Sequence, residues 1–114
     1  MRLLLVADVH DAAKTAERIP GNFDAVIAAG DFTYRRSLEA AVEALEALAR
    51  IAPVYFVPGN TDPPELARYE NAAVKPVHGR VLPLGPYAVG GAGGSLPTPF
   101  DDLFRVTEEE LERL

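Results

Sequence analysis

The chain has 114 residues, 48% of them hydrophobic and 25% charged, which is one domain's length with a globular composition and excludes a disordered or low-complexity tail. Its formal net charge of −6 makes a surface that repels phosphate backbones and disfavours a nucleic-acid partner. Without cysteine there is neither a disulfide framework nor a thiolate metal site, so any metal must sit on carboxylates, imidazole and amides.

The apolar run after Met1 stops at Asp8, too short for the ~7–15-residue core of a secretory signal. No stretch approaches the ~20 apolar residues of a membrane span, so a cytoplasmic chain without membrane attachment is expected. Leu3–Ala7, Ala25–Ala29 and Val54–Val57 are short continuous apolar runs, the pattern of parallel strands buried on both faces. Between the first two, Asp11–Ile19 predicts a short helix closed by Pro20-Gly21. Between the second and third, Ser37–Ile51 carries the strongest helical pattern. Leu38, Val42, Leu45 and Ala49 form an apolar face, Glu39, Glu43 and Glu46 face away, and Ser37 stands at the N-cap.

Strand–helix–strand–helix–strand predicts two right-handed crossover units and an α/β fold. Past Pro58, Pro63–Tyr69 predicts one or two helical turns. Val81–Leu84 and Tyr87–Val89, around Gly85-Pro86, predict an antiparallel hairpin. Gly90–Ser95 is too glycine-rich for regular structure and lacks the G-x-G-x-x-G spacing or G-K-[ST] of a nucleotide loop. Thr107–Glu110 is a capping box opening a short helix, with Leu111 and Leu114 starting its apolar face.

Each of the three parallel strands runs straight into a polar motif: Asp8-Val9-His10, Gly30-Asp31 and Gly59-Asn60-Thr61-Asp62. Asp31 follows Asp8 by 23 positions and Asn60 follows Asp31 by 29, close to the ~30-residue length of a crossover unit. Parallel strands place all three motifs at the sheet edge where α/β folds bind ligands. Taken singly, the motifs have plainer readings: a helix N-cap beside a surface histidine, a turn whose carboxylate caps local amides, and a common turn dipeptide. Together they gather Asp8, Asp11, Asp31 and Asp62 with an imidazole and an amide. Converging carboxylates raise one another's pKa unless a cation joins them. Oxygen and nitrogen donors without sulfur suit Mn²⁺, Zn²⁺, Fe²⁺ or Mg²⁺.

The order D-x-H, G-D, G-N resembles the first three blocks of the calcineurin-like metallophosphoesterases. The stretch GGAGGSLPTPF (Gly90–Phe100) with the acidic helix after it is similar to the middle of small prokaryotic members. The resemblance covers essentially the whole chain as one truncated metallophosphoesterase-like domain, residues 1–114. It implies a parallel βαβαβ sheet followed by an antiparallel hairpin, the first half of the family's αββα sandwich. Carried over position by position, it implies that Asp8 and His10 bind a first metal, Asp31 bridges two, and Asn60 binds the second. The implied reaction is hydrolysis of a phosphoester by a metal-activated hydroxide. A two-metal site of that kind clamps a phosphate between ions roughly 3.5–4 Å apart.

The family pattern goes on to a further histidine and a Gly-His-x-His block, whereas the histidines here are His10 and His78. His78 falls at a His-Gly pair that the family does not use as a ligand, and it reads as a solvated turn residue. The resemblance therefore implies half a site, with one sheet face left apolar and exposed. A homo-oligomer or a complementary polypeptide is expected. Three departures stand out: Asp11 where many members have Gly, Tyr34 where many have Asp or Asn, and Asp62 where the broad family often has a candidate acid histidine. The general acid is left unassigned. Arg35 and Arg36 read either as holders of a substrate phosphate or as solvated helix-flank charges. Three functions fit: a metal-dependent phosphoesterase incomplete in this chain alone, a non-catalytic metal-binding or oligomeric scaffold half-domain, or one half of a split protein.

Overall fold

A computed structural model describes residues 1–9, 13–34, 37–99 and 102–114. The readings placed on His10, Asp11, Arg35, Arg36 and Phe100 lie outside the described residues.

Four parallel strands make one sheet in the order β1-β2-β3-β4: β1 Leu3–Val6, β2 Ala25–Ala29, β3 Val54–Val57 and β4 Val74–Pro76. Helix α1 (Ala13–Ala16) lies between β1 and β2, and α2 (Leu38–Ala49) between β2 and β3. The expected βαβαβ arrangement is present and gains β4, which the sequence pattern does not declare. Val-Lys-Pro is too short for a periodicity signal, and Pro76 is tolerated because β4 is an edge strand. Register aligns Leu4, Val26, Val54 and Val74 across the sheet. That row and the Val6, Ala28, Phe56 row face the helices and form the core with Phe32, Leu45, Leu48 and Leu66. The Phe32 and Phe56 rings meet edge to face at 5.8 Å and 80°, an arrangement worth about 1 kcal/mol beyond area burial.

Ser37 caps α2 as expected, its Oγ accepting from the Ala40 N–H at 3.3 Å. The buried face is a correction: Ala41, Ala44, Leu45, Ala47 and Leu48 point inward, while Leu38 is exposed and Val42 and Ala49 are half-buried. Ala41, Ala44 and Ala47 let the helix lie close on the sheet around the buried Leu45 and Leu48, while Val42 and Ala49 pack at the margin of the contact. Glu46 does not simply face away either. It accepts from Tyr69 Oη at 2.6 Å and Asn71 Nδ2 at 2.8 Å, tying α2 to the segment after the 3₁₀ turn Pro64–Arg68.

The hydrogen bond to Glu46, helped by burial, raises the Tyr69 phenol pKa. A raised folded pKa means the stabilisation is complete below the unfolded phenol's pKa of about 10 and is lost as pH rises through the higher folded value. Tyr69→Phe is expected to lower unfolding free energy by about 1 kcal/mol at neutral pH. In urea titrations the gap from wild type should close in strongly alkaline buffer.

β1 is not buried on both faces. Leu4 and Val6 pack into the core, but Leu3 is 38% and Leu5 72% exposed, because β1 is an edge strand and these side chains lie on the face opposite the helices. That face also carries Ile27, Tyr55 and Val57, and it is only partly covered by the expected hairpin, β5 (Val81–Leu84) and β6 (Tyr87–Gly90). Gly85 turns the hairpin with a φ of 58°, as a two-residue loop with Pro second requires. Between hairpin and sheet runs a cleft of about 220 Å³ lined by Ile27, Ala29, Tyr55, Val57, Val77 and Val89.

Helix α3 (Glu108–Glu112) opens with both halves of the Thr107–Glu110 capping box. None of its residues is buried, so its expected apolar face is little used, although Leu114 reaches over Gly79. Among the described residues no helix is long and apolar enough to cross a membrane.

Candidate metal centre

Asp8, Asp31 and Asn60 lie two or three residues past the ends of β1, β2 and β3, and the parallel pairing puts them at one edge of the sheet. Among the described residues, Asp8 and Asp31 are the non-glycine positions in the left-handed region, with φ of 53° and 57°. Such backbone costs on the order of 1–3 kcal/mol and persists where the surroundings over-determine it, commonly at functional sites. The Asp8 N–H donates to the Gly30 carbonyl at 3.2 Å, which ties the first turn to the second.

The second and third turns interlock backbone to backbone. A Cβ on Gly30 would lie 2.7 Å from both N and Cα of Gly59; one on Gly59 would lie 2.0 Å from Asp31 Oδ1 and 2.4 Å from Asp31 N. Only glycine fits at either place. Asp31 Oδ1 accepts from the Thr61 N–H at 3.3 Å and lies 2.8 Å from Thr61 Oγ1. That hydroxyl is also 2.9 Å from the Thr33 carbonyl, and its single proton serves one acceptor at a time. Gly30-Asp31 is thus more than a turn with a locally capping carboxylate, because its side chain reaches the loop after the neighbouring strand.

Asp62 is fully buried. Its Oδ1 accepts from the Thr33 N–H at 2.9 Å and its Oδ2 from the Gly59 N–H at 2.8 Å. Burial pushes its carboxyl pKa up, the backbone amides of Gly59, Thr33 and Phe32 pull it back, and the charge of Asp31 adds to the rise. With both oxygens engaged by backbone, Asp62 clamps the loops after β2 and β3 together.

The late loop closes on Asn60. The Gly94 N–H donates to the Pro58 carbonyl at 2.9 Å, and the Leu103 and Phe104 N–H groups reach the Asn60 carbonyl at 2.8 and 3.2 Å. Asn60 Nδ2 donates to Asp102 Oδ1 at 2.6 Å. Hydrogen bonds from Thr98 and Asn60 and the charge of Arg105 hold the Asp102 carboxyl below its usual range. No local pattern marks Asp102 in the sequence, 42 positions from Asn60.

His78 is a further correction. Rather than a solvated turn residue, it is half-buried, accepts the Gly93 N–H on Nδ1 at 2.8 Å and sets its ring against Phe104, centroids 5.2 Å apart. It docks the glycine segment. Tyr34 is exposed beyond Asp31.

Among the described residues, nothing donates a hydrogen bond to Asp31 Oδ2 or Asn60 Oδ1. Two hard oxygen donors are therefore left available at one rim, in keeping with a hard divalent cation. No group of three or more His, Cys, Asp or Glu able to hold a metal occurs among the described residues; His10 lies outside them, and Asn60 is a donor of another kind.

A family model for calcineurin-like phosphoesterases matches residues 1–107. The chain is also 30% identical over 112 residues to the uncharacterized protein MJ1162 of Methanocaldococcus jannaschii, an alignment covering 97% of this chain and 51% of that protein. It thus spans about half the length of this curated relative. No solved structure matches it. With a family model matched along nearly its whole length, the chain belongs to the calcineurin-like phosphoesterase family.

Proposed function

We propose that this chain carries the first half of a metal-dependent phosphoesterase site, with Asp8, His10, Asp31 and Asn60 as ligands to one or two divalent cations, manganese foremost among Mn, Zn, Fe and Mg. The observation that supports it best is the interlocked rim, where Gly30 against Gly59, Thr61 on Asp31 and the Asp8 N–H on the Gly30 carbonyl fix three strand-end turns in one place. When bound, such ions supply Lewis acidity to a phosphoryl oxygen and lower the pKa of coordinated water toward ~7. The protein's own part is to hold the donors rigidly. Asp31 keeps one oxygen on Thr61 and offers the other, and Asp62 prevents the two loops from separating.

The substrate class is a phosphoester. Full activity requires imidazole donors beyond His10, because His78 Nδ1 already accepts the Gly93 N–H. Residues beyond these 114, whether on the same polypeptide or on a complementary one, would supply them, the relative being about twice as long. The exposed apolar side chains Leu3 and Leu5 on the open sheet face support such a partner. The same open face favours a second reading, a metal-binding scaffold half-domain that is not catalytic.

The test mixes the chain with the part of MJ1162 outside the match and follows a chromogenic phosphodiester with added Mn²⁺. Mn²⁺-dependent hydrolysis in the mixture, abolished by Asp31→Asn, is the expected result. Mn²⁺ binding without turnover in any mixture would favour the scaffold. A chain that binds no Mn²⁺ would contradict both.

A further inference from the structure

We propose that Asp102 is a positioning residue that aims the Asn60 side-chain oxygen at the cation, an inference that rests on Asn60 being a ligand. An asparagine amide presents an oxygen and an NH₂ in one plane, and a cation accepts only the oxygen. Left free in a loop, the amide is equally ready to turn its NH₂ toward the site. In this chain the choice is made by a neighbour. Asp102 Oδ1 stands 2.6 Å from the Asn60 nitrogen, and an ionised carboxylate can only accept, so Nδ2 must face it and Oδ1 must face away.

Asp102 is itself fixed. Its side chain is 3% exposed, Thr98 Oγ1 donates to Oδ2, and Arg105 Nε lies 3.7 Å from the same oxygen. The Leu103 and Phe104 N–H groups bind the Asn60 carbonyl, so the loop grips Asn60 by backbone and side chain together. Nothing among the described residues donates to Asn60 Oδ1. Orienting partners of this kind commonly change metal affinity by about 10–100-fold.

The experiment titrates Mn²⁺ into wild type, Asp31→Asn, Asp102→Asn, Asp102→Ala, Asn60→Ala and the Asn60→Ala/Asp102→Ala double variant, reading bound metal by electron paramagnetic resonance. Asp102→Ala is expected to weaken binding by about tenfold or more. Asp102→Asn keeps an acceptor for Asn60 and should recover most of that loss. In the Asn60→Ala background, Asp102→Ala should cost less than about a further twofold, because the coupling runs through Asn60. Equal losses in both backgrounds would overturn the proposal, since Asp102 would then act through its charge or the fold. Unchanged affinity in Asp102→Ala, beside a weakened Asp31→Asn, would overturn it while leaving the metal site intact. A wild type that binds no Mn²⁺ would instead remove the metal site itself, and this proposal with it. Should Asp102→Ala fail to fold by circular dichroism, hydrogen exchange of the Asn60 side-chain amide in the wild type decides. Slow exchange is expected, and exchange at the rate of a free amide would overturn the assignment.

Discussion

Gly59→Ala is expected to cost about 3 kcal/mol of stability, the upper end for overpacking, and to abolish cation binding in whatever fraction remains folded. The methyl group would enter 2.0 Å from Asp31 Oδ1 and 2.4 Å from Asp31 N. A side-chain rotation can relieve the first clash but not the second, so β2 and β3 must part at their ends. Gly59 is not among the glycines of positive φ, so alanine adds no backbone strain there and the loss measures the interlock alone. Urea unfolding read by circular dichroism checks the stability, and an Mn²⁺ titration checks the site. A midpoint equal to wild type would mean the two turns do not touch as described.

Asp62→Ala carries the second large effect, also about 3 kcal/mol, because it strands the buried Thr33 N–H and the part-buried Gly59 N–H without acceptors at roughly 1–3 kcal/mol each. Part of that cost is offset by relief of the buried carboxylate, whose burial already raises its pKa. Asp62→Asn keeps one oxygen for one of the two amides but turns an NH₂ toward the other, so it should fall between alanine and wild type. The comparison is made from urea midpoints with the slope held constant. If alanine proves neutral, Asp62 does not hold the loops, and a proton-transfer role would reopen for it.

The sequence made the site's address more legible than its construction. Apolar runs ending in Asp8, Asp31 and Asn60 place these residues at one sheet edge without coordinates, because parallel strands all point the same way. Gly30 and Gly59 read as ordinary turn residues, because the reason they are glycines is their meeting across two strands, a contact no local pattern encodes. Asp102 was invisible for the same reason, since its partner lies far off in the chain.

In the fold, Leu3–Ala7 read as buried because a continuous apolar run carries no information about which neighbours exist. Leu5 is apolar and exposed because β1 is an edge strand and the face opposite the helices lacks full cover. The buried face of α2 shares Leu45 with the expected one but turns toward Ala41, Ala44 and Leu48, because small side chains carry little periodic signal although they make the close contact. His78 reads as solvated in the sequence because its partners, Gly93 and Phe104, arrive from a segment that looks structureless by composition.

The most direct test of the central claim, that the rim after β1, β2 and β3 is built to hold a divalent cation, is equilibrium Mn²⁺ binding followed by the free-ion electron paramagnetic resonance signal. Saturable loss of that signal is expected with wild type, and an affinity at least about tenfold weaker with Asp31→Asn. Mn²⁺ that stays free in the presence of excess wild-type chain, or that binds both proteins equally, would contradict it.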